Sequence, residues 1–218
     1  MNAGVKVGDS KICLLLYADD VVVISESGEE LQDMLDVVNE YGKDFGMNFS
    51  DDKSKVMIVN GTEEDKDKTW YVGARIIKQT DKYKYLGVWM SSNGCERMKN
   101  EKMSLINKWV GQLGSVARMR ACKYDVLREV WKSVAVPSVM YGMEVFAWNE
   151  SEINNLEIGQ NRLARIALNA PRYAAVEALR GDMGWSTFRE RIRKATVRFK
   201  VRLDWGTKGL CERSIYGV

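Results

Sequence analysis

The chain has 218 residues, 45% of them hydrophobic and 29% charged, which is long enough to bury one or two cores and too apolar for wholesale disorder. It contains no histidine, which excludes histidine-based acid–base catalysis and Ser-His-Asp chemistry, and its four cysteines, Cys13, Cys95, Cys122 and Cys211, match no zinc spacing and read as reduced thiols. Net charge is +3 but uneven: residues 1–92 carry 11 Lys/Arg against 17 Asp/Glu, and residues 93–218 carry 22 against 13. That suggests a cation-attracting part joined to a polyanion-attracting part, or simply solvated charge on ordinary helix faces.

The first ten residues are polar and glycine-containing, without the apolar core of a signal peptide, and no apolar run reaches the roughly 18 residues of a membrane span. The expectation is an intracellular protein of cytoplasm or nucleus, neither secreted nor held in a membrane. Val5 to Asp9 and Lys11 to Leu16 read as strands around a Gly-Asp-Ser turn. The second runs into Leu14-Leu15-Leu16-Tyr17-Ala18-Asp19-Asp20-Val21-Val22-Val23-Ile24, an apolar stretch interrupted by two carboxylates. Buried carboxylates cost several kcal/mol unless compensated. Two short buried strands with a tight turn at Ala18 to Val21 would put Asp19 and Asp20 at a hairpin tip, as ligands for a hard cation or as a plain polar turn.

Ser27 and Glu30 form a capping box, with Leu31, Met34, Leu35, Val38, Tyr41 and Phe45 on one helical face until Gly46. That face should pack on the sheet carrying the hairpin. Phe49 and Lys55 to Asn60 resume extended structure, and Gly61 to Thr69 is a charged surface loop. Trp70 to Ile77 and Lys82 to Met90 alternate well enough to be a β-pair, on which Tyr83, Tyr85 and Trp89 would share one face.

After Asn93-Gly94 the apolar period changes to 3.6. One helix carries Met103, Ile106, Val110, Leu113 and Ala117, and a second Val126 to Val134, which Pro137 ends or kinks. Asn149 and Glu152 cap a third, with Ile153, Leu156, Leu163 and Ile166 inward, and a short helix spans Tyr173 to Arg180. Thr187 and Glu190 open the last, with Phe188, Ile192, Ala195, Phe199 and Leu203 at core spacing. Its outer face holds Arg189, Arg191, Arg193, Lys194, Arg198, Lys200 and Arg202. Such a face could follow several phosphates, or lie on an anionic membrane or a protein partner.

Taken together these segments resemble the reverse transcriptases of non-LTR (LINE-type) retrotransposons. Tyr17-Ala18-Asp19-Asp20 followed by Val-Val-Val-Ile-Ser is similar to their metal-binding motif C. Gly46-Met47-Asn48-Phe49-Ser50-Asp51-Asp52-Lys53-Ser54-Lys55-Val56-Met57 is similar to motif D, and Tyr83-Lys84-Tyr85-Leu86-Gly87-Val88 to motif E, with Trp70-Tyr71-Val72-Gly73 between them. Pro137 to Gly142 and Glu177 to Trp185 resemble the helical segment beyond the palm. The likeness runs from about Gly4 to Leu203.

The resemblance implies an α+β fold: the remnant of a right-hand polymerase palm over residues 1–92, an antiparallel sheet plus helix, followed by an all-helical thumb-like and connection region over residues 93–218. It implies Mg²⁺ held by Asp19 and Asp20, Lys53 near the leaving group, and a primer grip at Tyr85, Leu86 and Gly87. An RNA/DNA primer–template would lie along Arg189, Arg191, Arg193, Lys194 and Arg198. The parent activity is RNA-directed DNA synthesis by two-metal phosphoryl transfer. In the resembled family motif C follows the fingers, motif A with a further metal-binding aspartate, and motif B; the sequence contains none of these. A truncated reverse transcriptase, inactive unless a complementing polymerase fragment supplies them, is therefore expected. The alternatives are a non-catalytic nucleic-acid-binding module and an inert element remnant.

Overall fold

The computed structural model describes residues 3–8, 10–50, 52–117 and 123–205; Asp9, Asp51, Cys122 and Cys211, named above, lie outside them. The chain divides into two compact units, Met1–Gly94 with Leu203–Val218, and Cys95–Arg202. Both strand-rich and helical parts are present, as the α+β reading requires. Among the described residues no helix is long and apolar enough to cross a membrane.

In the first unit β1 (Val5–Val7) pairs antiparallel with β2 (Ser10–Ile12), and β3 (Leu14–Tyr17) with β4 (Asp20–Val23). α1 (Gly28–Asp44) begins where Ser27 Oγ accepts from the Glu30 N–H and ends at Gly46, whose φ of +65° suits a residue without a Cβ. Only half of the expected capping box forms. The Glu30 carboxylate accepts instead from the backbone N–H groups of Gly4 (3.2 Å) and Glu26 (3.1 Å), tying the start of the chain to the helix.

The inward side of α1 also differs from expectation. Leu35, with Leu31 beside it, packs into a core of Val56, Trp70, Val72 and Ile77. That core belongs to a three-stranded sheet, β5 (Lys55–Val56), β7 (Arg75–Gln79) and β6 (Trp70–Val72) in that order, and not to the β3–β4 hairpin. Tyr41 and Phe45 lie one step round the helix, exposed and packed on each other at 4.4 Å between centroids. The loop expected over Gly61 to Thr69 contains a short helix, α2 (Glu63–Asp67). Thr62 and Asp65 cap it reciprocally, a local signal present in the sequence.

The expected pairing of Trp70–Ile77 with Lys82–Met90 is not made. Each stretch turns back on itself: β6 on β7 through Gly73 (φ +62°), and β8 (Lys82–Tyr85) on β9 (Val88–Ser91) through Leu86 (φ +46°) and Gly87 (φ +79°). Positive φ at both loop positions is the primed hairpin turn that matches strand twist. The register places Trp89 opposite Lys84, with the ammonium 5.6 Å from the ring centroid, so Trp89 lies on the face opposite Tyr83 and Tyr85.

The second unit is helical. α3 (Glu96–Val116) and α6 (Glu150–Leu168) make the main seam; α4 (Lys123–Val130) runs through a π turn at Trp131–Ala135 into α5 (Val136–Met140), and α7 (Val176–Met183) and α8 (Phe188–Trp205) follow. Pro137 thus falls in the first turn of α5, just after the π turn, rather than ending the run. Its missing N–H and bulky ring disturb the preceding turn, and the π turn absorbs the mismatch. Lys102 is buried and donates to the carbonyl of Tyr141 (2.6 Å) where α5 ends. The capping boxes of α6 (Asn149, Glu152) and α8 (Thr187, Glu190) form as read from the sequence.

Gly159, in mid-helix, is explained by the α3–α6 seam: a Cβ there would overlap the Cγ2 of fully buried Ile106. Alanine in place of glycine gains roughly 1 kcal/mol of helix propensity, whereas overpacking a closed core costs about 1–3 kcal/mol. Gly159→Ala should therefore lower stability in denaturant titration, and Gly159→Ala with Ile106→Val should recover part of the loss. A stabilised single variant would contradict this packing.

Candidate metal hairpin and nucleic-acid face

The β3–β4 register pairs Tyr17 with Asp20, so the loop is Ala18–Asp19 rather than the turn at Ala18 to Val21 that the sequence suggested. Ala18 takes φ +51°, the left-handed region demanded at the first position of a tight hairpin turn. Asp19 sits in the loop and Asp20 opens β4, which brings both carboxylates to the tip. Neither forms an ion pair with lysine or arginine among the described residues, and both are exposed.

The strands themselves are not buried, contrary to the sequence reading. Leu16 and Tyr17 are 67% and 62% exposed, and Leu14, Leu15 and Val21 about as open as one another at 40% each. A sheet of two strands cannot bury both of its faces, and the core of this unit lies under the other sheet. An aspartate pair at an exposed tip offers oxygen donors of the kind a hard divalent cation takes. Among the described residues no group of three or more cysteines, aspartates or glutamates comes together.

Lys53 stands in an exposed turn just before β5 and makes no ion pair with either aspartate. Tyr85, Leu86 and Gly87 form the tip of the β8–β9 hairpin. Leu86 in the left-handed region is strained, since a Cβ there crowds the following carbonyl at about 1–2 kcal/mol. An open groove between the end of α1 and the β6–β7 turn is lined by Asn39, Lys43, Phe49, Gly73 and Arg75 and includes none of these residues.

On α8 the seven cations divide. Arg193, Lys194, Arg198 and Lys200 are exposed and carry no ion pair among the described residues, and Arg202 lies over the Phe199 ring at 5.3 Å. Arg189 pairs with Glu150 through both terminal guanidinium nitrogens. Arg191, assigned to the outer face from the sequence, turns inward. It donates to Gln160 Oε1 (2.7 Å) and stacks over Phe188 at 5.0 Å, and burial pushes its guanidinium down to about 10. It is not free to meet phosphate.

The partner that draws Arg191 in belongs to a polar network the sequence reading missed. Glu157, 8% exposed, accepts from the backbone N–H groups of Phe188 (2.6 Å) and Arg189 (3.3 Å) and from Arg180 (3.1 Å). Gln160, fully buried, accepts from Trp131 Nε1 (3.1 Å) and donates to the Ser186 carbonyl (3.1 Å). The signal was available: Glu157 and Gln160 fall among Ile153, Leu156, Leu163 and Ala164, at helical positions facing the core.

The family model for reverse transcriptase (RNA-dependent DNA polymerase) matches residues 2–90. The chain is 26% identical over 151 residues to the Retrovirus-related Pol polyprotein from type-2 retrotransposable element R2DM of Drosophila melanogaster, covering 64% of this chain and 14% of that protein. It is 25% identical over 224 aligned residues to the Retrovirus-related Pol polyprotein from type-1 retrotransposable element R1 2 of Nasonia vitripennis, covering 91% of this chain and 52% of that protein. Residues 2–90 are thus similar to the reverse transcriptase family, and the longer aligned stretches to Pol polyproteins of type-1 and type-2 retrotransposable elements. The chain spans about half or less of the length of these relatives.

Proposed function

We propose that this chain supplies one half of the polymerase centre of a LINE-type reverse transcriptase, together with a helical thumb-like region that holds the primer–template. The observation carrying the reading is the pair Asp19–Asp20, held together at the tip of a hairpin with a two-residue loop and without a cationic partner among the described residues. In this reading the two carboxylates hold Mg²⁺, which when bound polarises a phosphoryl oxygen and lowers the pKa of the attacking hydroxyl. The exposed Lys53 ammonium would stabilise charge on departing pyrophosphate, and the Tyr85–Gly87 tip would contact the primer backbone, where Gly87 permits close approach.

Adjacent aspartates project in different directions, because successive strand residues alternate faces, so the pair cannot by itself clamp two ions. The reading therefore has the chain work with a further aspartate-bearing strand and fingers, whether joined to it or brought by a partner. The exposed apolar residues of β3 and β4 are the surface such a strand would cover.

The second reading, a non-catalytic nucleic-acid-binding module, is favoured by the cations Arg193, Lys194, Arg198 and Lys200, which are exposed and carry no ion pair among the described residues. Both readings require phosphate binding by this face, and it can be measured directly. Four neutralised phosphates imply a slope of about −3 in log affinity against log salt. Fluorescence anisotropy with a labelled primer–template should show that slope and its collapse in the triple variant Arg193→Glu, Lys194→Glu, Arg198→Glu. Arg191→Lys should leave the slope unchanged, since that side chain faces inward. Salt-independent binding, or an unaffected triple variant, would refute phosphate contact by α8.

A further inference from the structure

Tyr173 is the most exposed of the large hydrophobic side chains among the described residues. Trp131, Trp185 and Phe188 are buried and in ring contact, whereas Tyr173, between α6 and α7, is 91% exposed. The loop bearing it is fixed on both sides. α6 ends at Asn169 in the left-handed region (φ +51°), and the N–H of Ala170 bonds the Arg165 carbonyl (3.0 Å). Pro171 to Ala174 is a tight turn closed by the Ala174 N–H on the Pro171 carbonyl (3.1 Å), and Ala170 and Ala174 pack against the core.

The ring is thus projected from a braced turn, and the residues around it are cationic. Arg172, its neighbour in the turn, is exposed and has no ion-pair partner among the described residues. The Lys123 ammonium reaches the same loop, where it donates to Asn169 Oδ1. An exposed ring on a loop that also carries Arg172 and meets Lys123 suits an unpaired base with its adjoining phosphates. Base–aromatic stacking is tolerant of sequence and is strongest where the ring is already ordered, because little entropy is then lost on binding.

We propose that Tyr173 is a stacking platform for an unpaired base of single-stranded nucleic acid, with Arg172 and Lys123 on the adjoining phosphates. The proposal rests on the nucleic-acid reading of this unit but concerns a different loop from the α8 face. The test uses the 218-residue chain with a labelled 20-nucleotide single strand and a blunt duplex of the same sequence.

Tyr173→Ala should weaken single-strand binding about 5- to 100-fold with the salt slope unchanged, while Tyr173→Trp keeps the affinity and duplex binding does not move. A 2-aminopurine strand should show altered fluorescence on binding the parent chain and Tyr173→Trp, and none from stacking with Tyr173→Ala. Arg172→Ala should instead flatten the slope by about one phosphate's worth. If the parent binds with a clear salt slope but Tyr173→Ala matches it, the platform is refuted and the α8 face stands. Equal losses on strand and duplex also refute it, and a parent chain that binds neither probe refutes both proposals.

Discussion

Glu157→Ala should destabilise the helical unit more than any surface change on it. The substitution strips one buried carboxylate from three donors: it leaves the guanidinium of Arg180 without its ion partner and the N–H groups of Phe188 and Arg189 without an acceptor at the start of α8. Removing one member of a buried ion pair costs about 3–5 kcal/mol, because the remaining charge stays desolvated and unpaired. For a unit of this size that lowers the melting midpoint by at least about 10 °C. Glu157→Gln keeps an acceptor for the N–H groups and should fall between the parent and alanine. Glu150→Ala removes the exposed partner of Arg189 and should give no resolvable change in midpoint, since exposed pairs are screened by water and salt. Comparable effects from Glu150 and Glu157 would mean that the network does not hold α6, α7 and α8 together.

The network also shows where sequence reading stops. The caps of α6 and α8 were legible because a capping box is four residues long and needs no tertiary partner. So was the aspartate hairpin, although its two-residue loop is Ala18–Asp19 rather than a turn over Ala18 to Val21. Trp70–Ile77 and Lys82–Met90 were misread as one pair because Leu86 carries the positive φ that composition leads one to expect only of glycine or asparagine. Tyr41 and Phe45 followed the helical period faithfully, yet the sheet under α1 is narrow, and a stripe wider than its support leaves its edge in water. Arg191 was counted with the outer cations for lack of any local sign that Gln160, 31 residues earlier, would draw it in.

The same distinction applies to the candidate site. The sequence named Asp19, Asp20, Lys53 and the β8–β9 tip through resemblance to a family. The structure adds that the aspartates are exposed at the hairpin tip, and that Lys53 makes no ion pair with them. Their proposed roles depend on surfaces that β3 and β4 leave open.

The largest effect expected of any single change is catalytic. When the 218 residues are joined to, or mixed with, a polypeptide bringing an aspartate-bearing strand and fingers, templated extension of a primer should appear. It should then fall by at least about 10²-fold in Asp19→Asn, the scale of losing one preorganised electrostatic group. That variant removes charge at an exposed tip and leaves the hairpin register intact, so its melting midpoint and its affinity for primer–template should match the parent's.

The most direct test of the half-centre account is primer extension by the purified 218-residue chain itself, followed on a labelled RNA-templated primer with dNTPs and Mg²⁺ or Mn²⁺. The account predicts a salt-sensitive complex that adds no nucleotide, because two adjacent aspartates cannot clamp two ions. Extension that is lost in Asp19→Asn would contradict it, and would mean that this chain, alone or with a second copy, already holds the third ligand.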